Sequence, residues 1–205
     1  NLLSRPPAVE AEPANAQTDR PAVTHDEARA AVAVLLSWIG EDPNREGLRE
    51  TPRRVADALR EMTAGSRIDP ASVLATRFAS EGYDELVVLR GITFTSLCEH
   101  HLLPFTGTAA VAYLPAKRII GISKLARLVD VFARRPQVQE RMTKQIVDAL
   151  TKELEPIGAG VVLKASHACM GCRGVGKPSA ELITSSLTGA LLSKPEARAE
   201  LLSFL

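Results

Sequence analysis

The segment SLCEHHLLPFTG, residues 96–107, sets Cys98, Glu99, His100 and His101 side by side. The 205-residue chain holds four histidines and three cysteines, so half of its histidines fall in this one turn. A Cys-x2-His spacing lets both end residues, Cys98 and His101, reach one metal ion from a turn at a strand end. A second cluster, HACMGC, supplies His167, Cys169 and Cys172. Read as a strand from Val161 to Cys169, it turns Val161, Leu163, Ala165, His167 and Cys169 to one side, so His167 and Cys169 point the same way.

Two metal sites are compatible with these spacings. Cys98, His101, Cys169 and Cys172 would close a four-ligand structural zinc site. Cys98, His101 and Cys169 alone would leave a position for water, and zinc in such an open site lowers the pKa of bound water to about 7. The spacing leaves both readings standing. His100 and His167 weigh toward the open one, because two imidazoles without ligand duty are superfluous to a structural knot and suited to proton transfer. A deaminase-type zinc site requires H-x-E followed by P-C-x-x-C. Here the order is Cys98-Glu99-His100, and Ala168 precedes Cys169.

GISKLARLVDVFARR, residues 121–135, reads as a helix capped by Ser123 with Lys124 and Arg127 in its first turn. Cations there oppose the helix dipole, unless an anion such as phosphate binds at that end. The alternative is a solvated basic face. Arg173, just past Gly171, is either a third cation of the same kind or a surface arginine. Gln139 and Glu140 open the next helix. Glu140 either complements the dipole or, with Gln139, matches the N1–H and amino edge of guanine. No G-x-x-x-x-G-K-[ST] loop occurs, which excludes an ordinary nucleoside triphosphatase. Together these parts point to hydrolysis of a nucleotide's ring, not of its phosphates.

The elements that must position these residues follow from periodicity. Apolar residues at Ala30, Val34, Leu35 and Trp38 predict a helix from Asp26 to about Ile39, and TPRRVADALREM predicts another, with Thr51 as N-cap and Pro52 first. ELVVLRGITFTSL and GTAAVAYLPAKRIIG read as strands flanking the Cys-His turn. Leu125, Leu128, Val129 and Phe132 make one helical stripe, ended by Pro136; Val138, Met142, Ile146, Ala149 and Leu150 make a second. GAGVVLKASHACM and ELITSSLTGAL read as strands, and a short helix follows Pro195. The order predicts an α+β fold. We expect a disordered tail over residues 1–25, in which His25 is solvated, a helical segment over 26–80 and a catalytic domain over 81–205.

Composition narrows the class further. With 45% hydrophobic residues a substantial core is expected, and a net charge of +1 argues against a general nucleic-acid or membrane-surface binder. No apolar run approaches the roughly 18 residues of a membrane span. An odd number of cysteines, two of them close to histidines, fits a reducing compartment and metal use, so cytoplasmic location is the expectation.

In order along the chain, GEDPNREGLRETPRRVA, SLCEHHLLPFTG, GISKLARLVDVFARRPQVQERMTKQI, SHACMGCRGV and TSSLTG make the stretch from about Val32 to Leu205 resemble the zinc-dependent GTP cyclohydrolase I family. The resemblance implies a tunnelling fold, an antiparallel sheet with two helices on one face, preceded here by the N-terminal helical segment. It also implies a decamer of two stacked pentamers, with active sites between subunits. The implied reaction converts GTP and water to 7,8-dihydroneopterin triphosphate and formate. By the same resemblance Cys98, His101 and Cys169 hold zinc, and Cys172 falls where the family usually lacks cysteine, which implies an open site. His100 matches a proton-transfer histidine, and His167 and Ser123 match groups near the ribose and purine. Gln139 and Glu140 match a guanine-reading pair, while Lys124, Arg127 and Arg173 match triphosphate contacts; Arg54 matches a further arginine of the site. The alternatives are a paralogue acting on a related purine nucleotide and a zinc-stabilised binding protein without turnover.

Overall fold

The computed structural model describes residues 23–205, so the expected tail lies outside the described residues up to position 22. Thr24 starts the first helix, α1 (His25–Trp38): its hydroxyl accepts from the Glu27 amide at 3.2 Å, and the Glu27 carboxylate accepts from the Thr24 amide at 2.8 Å. This reciprocal capping box satisfies two of the orphan donors at the helix start. None of the residues of α1 is buried; Trp38 in the expected apolar stripe is 81% exposed. The next helix, α2 (Thr51–Met62), already includes Thr51, and its first intrahelical bond runs from the Arg54 amide to the Glu50 carbonyl. The expected cap therefore moves one residue back, to Glu50. The chain divides within α2, between Ala56 and Asp57, into two compact units.

The second unit continues with α3 (Pro70–Val73), β1 (Arg77–Ala79), β2 (Val87–Cys98), β3 (Pro104–Leu114), β4 (Arg118–Ile120) and α4 (Ile122–Ala133). Then follow β5 (Pro136–Gln137), α5 (Gln139–Leu154), β6 (Gly158–His167), α6 (Ala168–Gly171), β7 (Glu181–Thr188), α7 (Gly189–Ser193) and α8 (Pro195–Ser203). The main sheet has the order β5-β2-β3-β6-β7 and is antiparallel except for the short parallel pairing of β5 with β2. A separate ribbon joins β1 to β4.

The mixed α+β expectation is met, and the two helical stripes explain how. Leu125, Leu128, Val129 and Phe132 of α4 and Met142, Ile146, Val147, Leu150 and Leu154 of α5 are buried in one cluster. The same cluster takes Phe94, Phe105, Val111, Val161 and Leu163 from the sheet, residues that alternate along each strand and so share a face. A smaller cluster around Ala112, Leu191 and Leu201 seats the C-terminal helices.

Two local expectations need correction. Ser123 does not cap α4: Gly121 is the N-cap and makes no side-chain bond, so Ser123 lies inside the first turn and Arg127 lies one turn further on. Strand β6 ends at His167, and Cys169 sits in the helical turn α6 rather than on the strand. The short elements α3, β1, α6 and α7 carry too little periodicity to be read from sequence.

Strand β6 passes close beside Gly107 of β3, where an added Cβ would lie 2.0 Å from the Lys164 carbonyl oxygen and 2.7 Å from the Ala165 Cα. Both obstacles are backbone and cannot swing aside. Gly107→Ala should therefore disrupt the central pairing and abolish a cooperative thermal transition. Leu128→Ala, at a fully buried position, should keep the fold while costing about 2–5 kcal/mol in chemical denaturation.

Candidate active site

The turn between β2 and β3 is closed on Cys98 from both sides. The Cys98 amide donates to the Leu103 carbonyl and the Cys98 carbonyl accepts from Leu102, each at 2.8 Å. Closure this tight places Leu102 at φ 53°, in the left-handed region, with its side chain 52% exposed. The Glu99 amide donates to the Gln137 carbonyl at 3.0 Å and ties the turn to β5. The Arg141 guanidinium grips the Glu99 carboxylate and holds its pKa below the usual carboxylate range. The other Glu99 oxygen lies 3.9 Å from His100 Nε2.

This turn and α6 bring together one ligand atom each from Cys98, His101 and Cys169, all within 4.8 Å of one another. Zinc bonds of about 2.0–2.3 Å place tetrahedral ligand atoms roughly 3.4–3.8 Å apart, so small adjustments suffice. The donor chemistry fits as well. Burial pushes the Cys169 thiol up, and the neighbouring Cys98 sulfur adds to that shift. Two adjacent sulfurs that resist joint ionisation are what a divalent cation relieves. Among the described residues, Cys172 is outside this group and exposed.

A cavity of about 390 Å³ opens beside these ligands and is lined by His100, Gln139, Glu140 and His167 together with Cys98 and Cys169. Its size suits a nucleotide-scale ligand. The imidazole of His167 stacks on Phe105 with centroids 4.5 Å apart and planes 3° from parallel. Burial lowers the His167 pKa, against the opposing charge of Glu140. His167 Nε2 lies 2.8 Å from Gln139 Oε1.

Not every expected residue joins this cavity. Ser123, Lys124 and Arg127 on α4 do not line it. Arg173 lies instead against a ligand, with Nη1 3.0 Å from His101 Nε2. Arg54 is an exposed residue of α2 in the first unit. Conversely, Phe105, Arg141 and Thr184 take part in the site without having been expected there. Arg141 directly follows Glu140, yet its partner is 42 positions away, and no local pattern reports such a pairing.

Comparisons with known proteins agree with this assembly. The family profile described as GTP cyclohydrolase I matches residues 28–205. A GTP cyclohydrolase 1 from Synechococcus is 51% identical over 176 residues, covering 86% of this chain and 77% of that protein. The Mycolicibacterium paratuberculosis protein of the same name is 54% identical over 184 residues, covering 88% of this chain and 90% of its own length. The one from Corynebacterium glutamicum is 50% identical over 184 residues, covering 88% and 93%. With that extent of match, the chain belongs to the GTP cyclohydrolase I family.

Proposed function

We propose that the protein is a zinc-dependent GTP cyclohydrolase I, opening the guanine imidazole ring of GTP at C8, releasing formate and forming 7,8-dihydroneopterin triphosphate, the entry to pterin and tetrahydrofolate synthesis. The observation that supports this most is a cavity lined by Cys98 and Cys169 of the Cys98–His101–Cys169 group together with His100, His167 and Glu140. Cys98, His101 and Cys169 would hold the ion. When bound, zinc supplies a Lewis acid that makes water nucleophilic near neutral pH.

The remaining chemistry belongs to side chains. Glu140 accepts from guanine N1–H and the amino group, which fixes the base in one orientation with C8 toward the ligand cluster. His100 protonates the imidazole ring of the purine and so makes C8 electrophilic. Water adds at C8, the ring opens, and a second hydrolysis releases that carbon as formate. His167 and Ser123 assist ribose opening and the closure of the pterin ring. Lys124, Arg127 and Arg173, with Arg54, bind the triphosphate. A paralogue using another purine nucleotide is not favoured by relatives at about 50% identity named GTP cyclohydrolase 1, and a closed zinc knot is not favoured because Cys172 is outside the ligand group.

In this reading residues 81–205 form the catalytic domain, a tunnelling fold that closes into pentamers and stacks as a decamer. Three features support assembly. Strand β7 ends the sheet with one side unpaired among the described residues. Helix α1 exposes Val34, Leu35 and Trp38. Ser123, Lys124 and Arg127 lie off their own cavity and are available to a neighbour's. No helix among the described residues is long and apolar enough to cross a membrane, and a cytoplasmic location goes with the family reading.

Incubation with GTP should yield formate and a dihydropterin absorbance, and a chelator should abolish both; turnover undiminished in stripped protein would overturn the zinc assignment. Cys172→Ala should retain stoichiometric zinc by elemental analysis, whereas Cys169→Ala should lose it. His100→Ala should keep zinc while kcat falls about 10²–10⁴-fold. Mixing inactive His100→Ala and Lys124→Ala chains under reassembly should restore part of the activity if the cavity is completed by a second copy; no recovery would place Lys124 in its own chain's site.

A further inference from the structure

We infer that Gln139 is a positioning residue that leaves the base to Glu140 and instead holds His167 in a single tautomer, with its hydrogen on Nε2 and its lone pair on Nδ1. The role of His167 in turnover rests on the function proposed above; the tautomer does not.

The argument is one of hydrogen-bond polarity. Gln139 is 1% exposed, so every polar atom of its side chain must find a partner inside the protein. One end of its amide sits among three oxygens: the Leu182 carbonyl at 3.0 Å, the Leu163 carbonyl at 3.3 Å and Thr184 Oγ1 at 3.2 Å. Carbonyl oxygens only accept, so this end is the NH2 and the amide cannot be turned over.

The two hydroxyls nearby agree. Thr143 Oγ1 lies 2.7 Å from the Gln139 main-chain carbonyl and must donate to it. Thr184 Oγ1 lies 2.7 Å from Thr143 Oγ1 and therefore donates in turn, keeping a lone pair for the Gln139 amide. The result is a closed ring in which each proton has one place: Gln139 Nε2 to Thr184, Thr184 to Thr143, Thr143 to the Gln139 carbonyl.

With the nitrogen end fixed, Oε1 is the atom that faces His167 Nε2 at 2.8 Å, and an amide oxygen only accepts. Nε2 must carry the hydrogen. Turning the imidazole over would present Cε1–H to the amide and lose the bond, and the parallel stack on Phe105 holds the ring plane. Nδ1 is then the nitrogen left to receive or pass a proton. Both ends of the Gln139 amide are engaged, the NH2 group by three protein oxygens and the oxygen by His167, so no donor of it is left for a guanine edge. This replaces the base-reading role expected from the sequence.

Neutron diffraction from deuterium-exchanged crystals tests the tautomer directly. We expect deuterium on His167 Nε2 and the Gln139 ND2 group toward Leu163 and Leu182; an ND2 group facing His167, or a bare Nε2, overturns the inference. Kinetics test the role. Gln139→Met should lower kcat about 10–100-fold, as loss of an orienting partner does. Its zinc content, its KM for GTP and its preference for GTP over inosine triphosphate, which lacks the amino group, should stay within about twofold of the parent. Thr184→Val, which opens the hydroxyl ring with little change in volume, should lower kcat in the same direction with the same unchanged preference. Loss of the preference with kcat retained would make Gln139 a base reader, and unchanged kcat in both variants would also sink the proposal. Parent protein that releases no formate from GTP would refute the proposed activity while leaving the neutron result to judge Gln139.

Discussion

The pairing of β3 with β6 sets Phe105 directly opposite His167, and the gathering of the candidate ligands Cys98, His101 and Cys169 depends on it. Strand β3 leaves the Cys98–Leu103 turn and β6 runs into α6, so this register delivers both cysteine-bearing turns to the same end of the sheet. A slip of one residue would carry His167 to the opposite face and take it out of the stack on Phe105. The register is enforced from below by Val111, Val161 and Leu163, which must face α4 and α5. The bare backbone at Gly107 enforces it from within. The chemistry at the strand ends thus inherits its geometry from a hydrophobic layer that contains almost no chemistry of its own.

Two buried glutamines translate that geometry into oriented side chains. Gln137 and Gln139 flank the start of α5 and are 2% and 1% exposed. Gln137 donates to the Phe132 carbonyl and to Gln145, both at 2.9 Å, and its oxygen accepts from Arg141 Nε at 3.3 Å. Arg141 in turn holds Glu99 beside His100. Gln139 reaches the other way, to His167. The same helix start therefore bonds His167 directly and, through Gln137 and Arg141, reaches Glu99, whose carboxylate lies 3.9 Å from His100. Among the described residues, no buried side-chain nitrogen or oxygen lacks a partner. A network satisfied throughout rigidifies, whereas a half-satisfied one destabilises.

The candidate ligands stood out in the sequence because metal binding needs particular atom types at short spacing. Cys98 and His101 are a pair of that kind, and α4 and α5 declared their buried faces by period. Cys169 comes close to Cys98 and His101 by another route than the one expected: alternation along a strand was to put it beside His167, but a single helical turn carries it there. Ser123 looked like a cap because Ser before an apolar run often is one, yet Gly121 takes that place. What could not be read was pairing across sequence distance. The partners of Glu99, Gln139 and His167 lie tens of residues away, and no local pattern encodes them. Nor does residue type separate a glutamine that meets a ligand from one engaged by two carbonyls; burial does.

Leu102 carries a consequence for the turn as a mechanical part. A branched side chain in the left-handed region crowds its own carbonyl, at a cost of about 1–2 kcal/mol, and two bonds to Cys98 keep it there. The ligand-bearing hairpin is thus a spring under tension, not a relaxed bend. Glycine would release that tension, but the slack it introduced would let Cys98 and His101 drift apart; rigidity at this corner comes from the very residue that fits it badly.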